Sequence, residues 1–253
     1  MGFEILLGDL PRRIVSLVPS QTELLYDLGL EDRIVGVTKF CVHPVHARKT
    51  KTVIGGTKKF DLEGIVRLNP DLVIGNKEEN YAEGIAFLRE RFPVWMSDIA
   101  TLGDALAMID SIVRLTGTAA KGASLIHEIH QKFNSMRKAP SLRALYLMWY
   151  DPWMGAASNT FIHSMMRAWG LINVLAHHQR YPQLLEEDIR RLNPEVVLLS
   201  SEPFPFAAKQ ERQLRQLLPD AKILFVDGEF FSWYGSRLRF APDYLESLNE
   251  KLA

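Results

Sequence analysis

The stretch LEGIVRLNPDLVI, residues 62–74, decides the fold because it recurs as EEDIRRLNPEVVL at residues 186–198. The two copies are 124 positions apart, the distance from Glu63 to Glu187. Each copy predicts a short helix ended by Asn-Pro, since proline disfavours helix at the residue before it. The apolar run after the proline predicts a buried strand. The repeat therefore predicts two lobes built on one plan.

The rest of the chain continues this alternation of short apolar runs and longer amphipathic stretches, which predicts an α/β protein with parallel sheets covered by helices. Strands of a first lobe are predicted at 14–18, 34–38, 71–75 and 93–97, and strands of a second at 144–150, 195–200 and 222–227.

Residues 103–137 hold no strand candidate and separate the two sets of strands. They predict a helix to about Leu115, a Thr-Gly-Thr break, and a helix from about Thr118 to Met136. We therefore expect two Rossmann-like lobes with parallel sheets, joined by a long helix. The N-terminal lobe is predicted at residues 1–102, the linking helices at 103–138 and the C-terminal lobe at 139–253.

The composition excludes several classes of protein. Thirty basic and 30 acidic side chains cancel, which argues against binding to nucleic acid. No apolar run approaches the ~20 residues that span a bilayer, so we expect no membrane insertion. The stretch MGFEILLGDLPRRIVSLVPS lacks the pattern of an export signal, and we expect none in this chain. Cys41 is the single cysteine and cannot form an internal disulfide.

Ligands of open parallel sheets bind beyond the carboxyl ends of the strands, so residues just past each predicted strand are candidates for a binding site. Large aromatic rings dominate this set in the second lobe, and they suit a wide, flat ligand. The alternative is that such rings only cap the core or pack between lobes. The candidates from strand ends are Ser20, Gln21, Phe40, Trp149, Trp153, Phe230, Phe231 and Trp233.

Motifs of catalysis are missing from the sequence. It has no G-x-S-x-G elbow, no G-x-x-x-x-G-K-[ST] phosphate loop and no H-E-x-x-H pair. Cys41, His43 and His46 could form a three-ligand metal cluster, but Pro44 among them fits a turn equally well. We therefore expect no catalytic residues, no catalytic cofactor and no metal site, and hence a binding protein rather than an enzyme.

Glu63 and Glu187 occupy the same place in the two copies of the repeat. A carboxylate in the first turn of a helix has a local explanation, because the helix dipole favours it there by about 0.3–1 kcal/mol. Symmetric placement on two lobes also suggests a docking role, in which each glutamate meets an arginine of a two-fold symmetric partner.

Several of these segments together resemble the helical-backbone metal receptor family, the class III substrate-binding proteins of ABC importers. They are RIVSLVPSQTELLYDLG near the start, the two L-N-P-[DE]-x-V repeats, N-K-E-E-N after a strand, and PWMGAASNTFIHSMMRAWGLIN. The pattern is most similar to that of the vitamin B12 binding proteins. The resemblance implies a periplasmic or otherwise extracytoplasmic monomer that holds its ligand in a cleft between two lobes.

The resemblance also implies roles for single residues. The B12 binders carry ligand-binding aromatics that match Phe40, Tyr181 and Trp153, and paired permease-docking glutamates that match Glu63 and Glu187. One departure concerns the ligand, because Thr57 stands where those proteins have a tryptophan and Lys58 follows it. This leaves one face of a corrinoid less covered.

Three functions follow as hypotheses. The first is a binding protein that delivers a corrinoid, haem, an iron-siderophore or a similar metal chelate to an ABC importer permease. The second, suggested by the expected lack of an export signal, is a cytoplasmic carrier or sensor of such a ligand without a transporter. The third is an enzyme acting on a metal-chelate or nucleotide substrate, for which the sequence offers no cluster of catalytic groups.

Overall fold

The computed structural model describes Ile5 and residues 7–252, which form two compact units. The first contains the described residues up to Ile99, with Gly103–Glu128 and Tyr234–Arg237. The second contains Ala100–Leu102, Ile129–Trp233 and the described residues from Leu238 onward. The described residues do not include 1–4, 6 and 253. Part of the stretch analysed for an export signal and the outer limits of the predicted domains therefore lie outside the described residues.

The first unit contains a parallel sheet of five strands in the order β3-β2-β1-β4-β5. The strands are β1 (Ile14–Ser16), β2 (Ile34–Val37), β3 (Thr52–Val53), β4 (Leu72–Asn76) and β5 (Val94–Ser97). The chain moves from β1 to one side of the sheet and then places β4 and β5 on the other side. The topological switch point, where ligands bind in such sheets, therefore lies between β1 and β4.

Four helices cover this sheet, and a 3-10 turn lies at Glu31–Arg33. They are α1 (Pro19–Asp27), α2 (Ala47–Thr50), α3 (Leu62–Leu68) and α4 (Ala82–Arg89). Ile65 of α3 and Leu88 of α4 are fully buried against Val15 and Val73 of the sheet. The apolar faces of these helices thus form the core of the unit with the sheet.

Two longer helices, α5 (Leu102–Thr116) and α6 (Ala119–Ser135), follow without an intervening strand, as the sequence predicted. Gly117, with a left-handed φ of +71°, separates them at the predicted Thr-Gly-Thr break. The 17 residues of α6 span about 25 Å at 1.5 Å per residue. The chain passes from the first unit to the second after Glu128, within α6.

The second unit contains a mixed sheet of six strands. The strands are β6 (Arg143–Trp149), β7 (Trp153–Gly155), β8 (Ile172–Asn173), β9 (Gln183–Leu184), β10 (Val196–Ser200) and β11 (Lys222–Val226). Their order is β11-β10-β6-β7-β9, and β8 also pairs with β6. Because the chain returns to the far side of β6 to form β10, the switch point of this sheet lies between β6 and β10.

The prediction of purely parallel sheets holds for the first unit but misses part of the second. Strand β7 runs antiparallel to β6, and β9 runs antiparallel to β7. Only residues 150–152 connect β6 to β7, and so short a connection can join only antiparallel neighbours. The predicted strands rest on runs of Val, Ile and Leu, whereas β7 contains none of these residues and β9 contains only Leu184, which is why both went unpredicted.

Six helices complete the second unit, together with a 3-10 turn at Ser236–Arg239. They are α7 (Phe161–Trp169), α8 (Glu186–Leu192), α9 (Ala208–Leu217), α10 (Glu229–Ser232), α11 (Ala241–Ser247) and α12 (Asn249–Leu252). Ile189 of α8 and Leu214 of α9 are fully buried with Leu145 and Val197 of the sheet.

Residues 234–237 return to the first unit near the end of the chain. The guanidinium of Arg237 donates to both carboxylate oxygens of Glu23 on α1, at 2.8 and 3.0 Å. The Tyr234 hydroxyl donates to Glu79 at 2.5 Å. These contacts hold the returning segment against the unit, a feature that the sequence analysis did not predict.

Candidate functional site

The two copies of the repeat form the same structure in the two units. Helices α3 and α8 end at Asn69 and Asn193, whose φ angles are 43° and 42°. The guanidinium of Arg13 donates to the carbonyl of Leu68 at the end of α3, and that of Arg143 donates to the carbonyl of Asn193 at the end of α8. The repeat is therefore preserved down to the side chains that satisfy its helix ends.

Glu63 and Glu187 are each the second residue of their helix, and both are exposed. The Glu63 side chain is 89% exposed, and its contact with Arg67 is a loose one of 3.9 Å. The two helices each precede a parallel strand, so their first turns lie toward the carboxyl edges of the two sheets. Both glutamates therefore present an exposed carboxylate that a partner protein could reach.

A buried network of polar side chains lies at the switch point of the first sheet. Gln21 at the start of α1 donates through Nε2 to Ser97 Oγ at 2.6 Å, and Asn76 donates to the same oxygen at 3.0 Å. Asn80 accepts from the backbone NH of Asn76 and donates to the carbonyl of Leu17. This network fixes the loop after β4 relative to β1.

The two polar candidates at α1, Ser20 and Gln21, are buried, and Gln21 belongs to this network. Ser20 Oγ and Gln21 Oε1 have no hydrogen-bond partner within the part of the chain that the structure describes. Ser20 and Gln21 therefore lie buried in the first turn of α1, beyond the carboxyl end of β1.

Phe40, the aromatic candidate of the first unit, follows β2 and is 48% exposed. Lys39 Nζ lies 5.0 Å from the centre of its ring. A Cβ added at Gly56 would lie 3.2 Å from that ring, so the glycine leaves room for the phenylalanine. The Lys58 ammonium donates to the backbone carbonyl of Glu78.

A cluster of five aromatic residues lies at the switch point of the second sheet. Neighbouring ring centres are 4.7 to 6.1 Å apart, the range of favourable aromatic pairs. We call this the aromatic cluster, and its members are Trp149, Tyr150, Trp153, Phe204 and Phe206. Sequence analysis named two of them as ligand-binding candidates, and the structure brings these two into one group.

The two tryptophans of the aromatic cluster differ in exposure. Trp149 is the last residue of β6 and is 40% exposed. Trp153 is only 6% exposed and stacks on Phe206 at an interplanar angle of 8°. Trp153 thus belongs to the core beneath the cluster, while Trp149 keeps an accessible ring face.

The three candidates after β11 also separate by burial. Phe231 is 0% exposed and packs 5.1 Å from Tyr146 and 6.1 Å from Trp169, between ring centres, so it is a core residue without a free face. Phe230 is half-buried and stacks on Tyr244 at 4.4 Å. Trp233 is buried, and its indole NH donates to Glu202. The ligand-binding role of Phe231 stays a prediction, and its burial would limit that role to supporting the rings around it.

Tyr181 lies two residues before β9 and is half-buried. The guanidinium of Arg180 lies 5.5 Å from the centre of its ring, and Arg180 also donates to the carbonyl of Asn159 at 2.9 Å. The structure thus places Tyr181 beside a cation on an exposed loop of the second unit.

Glu202 was missed by the sequence analysis. It follows β10 at the switch point, next to the aromatic cluster, and its Oε1 accepts from Ser232 at 2.7 Å and Trp233 at 3.1 Å. Burial raises the pKa of the Glu202 carboxyl, and the charges of Glu229 and Asp227 add to the effect. The signal available in sequence was its position, since it stands 124 residues after Glu78, just past the equivalent strand.

The possible metal ligands of the first unit do not converge. The Cys41 thiol is buried beside the hydroxyls of Thr22 and Thr38, and this burial raises its pKa. His46 pairs instead with Glu31 at 3.1 Å. Within the described residues, no group of three or more His, Cys, Asp or Glu side chains could hold a metal ion. Over the same part of the chain, none of the helices combines the length and apolar character required to cross a bilayer.

Known proteins match both the sequence and the fold. A family model described as periplasmic binding protein matches residues 14–220. The vitamin B12-binding protein of Pectobacterium carotovorum is 24% identical over 244 residues, which cover 93% of this chain and 87% of that protein. The uncharacterized ABC transporter substrate-binding lipoprotein YvrC of Bacillus subtilis is 26% identical over 200 residues, covering 74% of this chain and 63% of that protein.

Among solved structures, the periplasmic heme-binding protein RhuT of Roseiflexus in its apo form superposes with a TM-score of 0.82. It is 24% identical, and the match covers 95% of this chain and 97% of that one, which shows a shared fold. The family match includes strands of both sheets and both copies of the repeat. The chain therefore belongs to the periplasmic binding protein family.

Proposed function

We propose that this chain is the substrate-binding protein of an ABC importer, and that it binds a corrinoid or a related metal chelate and delivers it to the permease. The aromatic cluster at the switch point of the second sheet carries this proposal. A macrocyclic metal chelate is wide and flat, and exposed rings such as Trp149 bury its apolar faces with little loss of side-chain entropy. The named ligands of the vitamin B12-binding and heme-binding relatives belong to the same chemical class.

The ligand-binding residues that we propose are the candidates with an accessible face and those that support them. Phe40, Trp149, Tyr181 and Phe230 are exposed or half-buried, so each can contact a ligand directly. Trp153, Trp233, Ser20 and Gln21 are buried and would position the others. In this function the chain works outside the cytoplasm as a monomer, without a catalytic cofactor. The domain limits 1–102, 103–138 and 139–253 stay a prediction, and the two compact units divide the chain differently, with residues 234–237 in the first.

Titration of the purified protein with cobalamin, cobinamide and haem, followed by visible absorbance, tests the proposal. We expect saturable binding of at least one of the three chelates, and weaker binding by Trp149→Ala. Phe225→Ala is the matched control, because Phe225 is an aromatic of similar exposure on β11 of the same unit. Absence of binding to all three chelates, or equal losses in both variants, would count against the proposal.

Glu63 and Glu187 provide the proposed contact with the permease. Both are exposed carboxylates at equivalent positions of the two units, and an arginine is the partner that binds a carboxylate most specifically. The ABC transporter name of the Bacillus subtilis relative supports a permease as the partner. Permease and ATPase genes beside the gene of this chain would favour the importer over a cytoplasmic carrier.

A further inference from the structure

Glu202 presents one carboxylate oxygen that the fold leaves free. Ser232 and Trp233 both direct their donors at Oε1, and no hydrogen bond or ion pair of the described residues engages Oε2. The side chain is half-buried and follows β10 at the switch point of the second sheet, two residues before Phe204 of the aromatic cluster. Glu202 and the aromatic cluster thus share the switch point at which the proposed ligand would bind.

The backbone of Glu202 is held as firmly as its side chain. Ser200 Oγ donates to the carbonyl of Glu202 at 2.6 Å and accepts from the buried hydroxyl of Tyr146 at 2.8 Å. A Cβ at Gly228 would lie 2.7 Å from Glu202 Cγ and 2.4 Å from Ser200 Oγ, so only glycine leaves this space open. Such support fixes the direction of a functional side chain before a ligand arrives.

The charge of Glu202 has no partner that would explain it as a purely structural residue. A half-buried carboxylate is costly unless a cation or several donors compensate it. Within the described residues it makes no ion pair, and the neighbouring charges of Glu229 and Asp227 are of the same sign. A neutral glutamine could also accept from Ser232 and Trp233, although more weakly than an ionised carboxylate. The negative charge therefore points to a group of the ligand.

We propose that Glu202 accepts a hydrogen bond from the ligand through Oε2 and thereby selects corrinoids whose peripheral side chains are primary amides. An ionised carboxylate is an acceptor only, so it attracts amide NH groups and repels carboxylates. Haem, whose peripheral acids are propionates, would be disfavoured at this position by the same repulsion. This inference rests on the proposed function and narrows its ligand class.

The substitution Glu202→Gln tests the inference because it reverses the polarity of the free group. Since Ser232 and Trp233 require an acceptor, the amide oxygen takes the place of Oε1 and the NH2 group takes the place of Oε2. The probes are cobinamide, whose periphery carries amides, and cobyrinic acid, whose periphery carries carboxylates. Titrations followed by visible absorbance give the dissociation constant of each probe.

We expect the parent protein to bind cobinamide more tightly than cobyrinic acid. Glu202→Gln should weaken cobinamide binding by up to about tenfold, because a neutral amide replaces the charged acceptor, and leave cobyrinic acid unchanged or tighter. Ser232→Ala, which removes one donor to Oε1, should reduce the preference in part. Glu250→Gln is the control, since Glu250 is an exposed glutamate of α12 and its loss removes the same charge.

The outcomes separate this inference from the proposed function. If the parent binds corrinoids but Glu202→Gln changes both dissociation constants by the same factor, or neither, the inference is wrong and the proposed function stands. If the parent binds neither corrinoid but binds haem, the inference is also wrong. If it binds no metal chelate, both are wrong. Thermal unfolding of each variant shows whether a loss of binding reflects a loss of folding.

Discussion

Trp149 and Trp153 are four positions apart in one aromatic cluster, but their different exposure gives them different roles. Trp153→Ala should lower the free energy of unfolding by about 3–5 kcal/mol, because it removes a buried ring that stacks on Phe206. Trp149→Ala should change stability by less than about 1 kcal/mol and weaken chelate binding by about 1–3 kcal/mol. Urea unfolding and absorbance titration measure the two quantities. Equal losses of stability in the two variants would contradict the assignment.

Glu202 should make stability depend on pH. Burial raises the pKa of its carboxyl, and the charges of Glu229 and Asp227 act in the same direction, so the folded protein holds this proton more tightly than the unfolded chain. The resulting stabilisation is complete below the ordinary pKa of 4.5 and is lost as pH rises through the pKa of the folded protein.

Glu202→Gln cannot ionise and does not lose this contribution. Its free energy of unfolding, relative to that of the parent, should therefore rise as pH increases above the ordinary carboxyl pKa. Urea unfolding at a series of pH values measures the difference. Glu250→Gln, which alters an exposed carboxyl, should show a much smaller change over the same range. A difference for Glu202→Gln that is constant with pH, or that falls as pH rises, would contradict the expectation.

At the scale of the element, the paired helices α3 and α8 satisfy their first turns in complementary ways. Asp61 before α3 accepts from the backbone NH of Gly64, three residues later. In α8 the direction is reversed, and Asp188 accepts from the backbone NH of Leu185, three residues earlier. These are the two halves of a capping box, and either one satisfies a donor that the helix itself cannot. The two copies of the repeat thus cap the starts of their helices with different residues.

The ends of the same helices depend on the left-handed conformation of Asn69 and Asn193. Replacing either asparagine by alanine should lower the free energy of unfolding by about 1 kcal/mol. Alanine has a Cβ, which disfavours the left-handed conformation, but lacks the short polar side chain whose local hydrogen bonds let asparagine adopt it. Replacement by glycine should change it by only a few tenths of a kcal/mol, about the size of the usual entropic effect. Urea unfolding compares the two series. Equal effects of alanine and glycine would show that the backbone conformation is not the cause.

At the scale of the whole molecule, the two units repeat one plan, and Glu63 and Glu187 mark its equivalent points. Each of Glu63→Ala and Glu187→Ala should bind the chelate as the parent does and weaken the complex with the permease. The loss reaches about 1–3 kcal/mol where the contact excludes water and falls below about 1 kcal/mol where it does not. Added salt should weaken the parent complex further.

Surface-immobilised permease measures the affinities. The control is Glu83→Ala, since Glu83 is an exposed acid in the first turn of α4 and lies outside the repeat. If the Glu63 and Glu187 variants form the complex and support transport at parental levels, the importer loses its support and a cytoplasmic carrier becomes the better interpretation.

The sequence by itself determined the two-unit plan, seven of the eleven strands in the described residues and the pair of helices after β5. Local periodicity and the Asn-Pro and Thr-Gly-Thr breaks are patterns of neighbouring residues. The repeat is found by comparing two short segments of the sequence, without knowledge of the fold. The same logic placed most candidate residues at strand ends, where both switch points lie.

Only the tertiary structure decided which of those candidates have an accessible face. The stacking of Trp153 on Phe206 joins residues more than fifty positions apart, and the hydrogen bond from Trp233 to Glu202 joins residues 31 positions apart. Burial and partner choice depend on such distant contacts, which a local pattern does not encode. For the same reason the antiparallel strands β7 and β9 and the free oxygen of Glu202 became visible only in the folded chain.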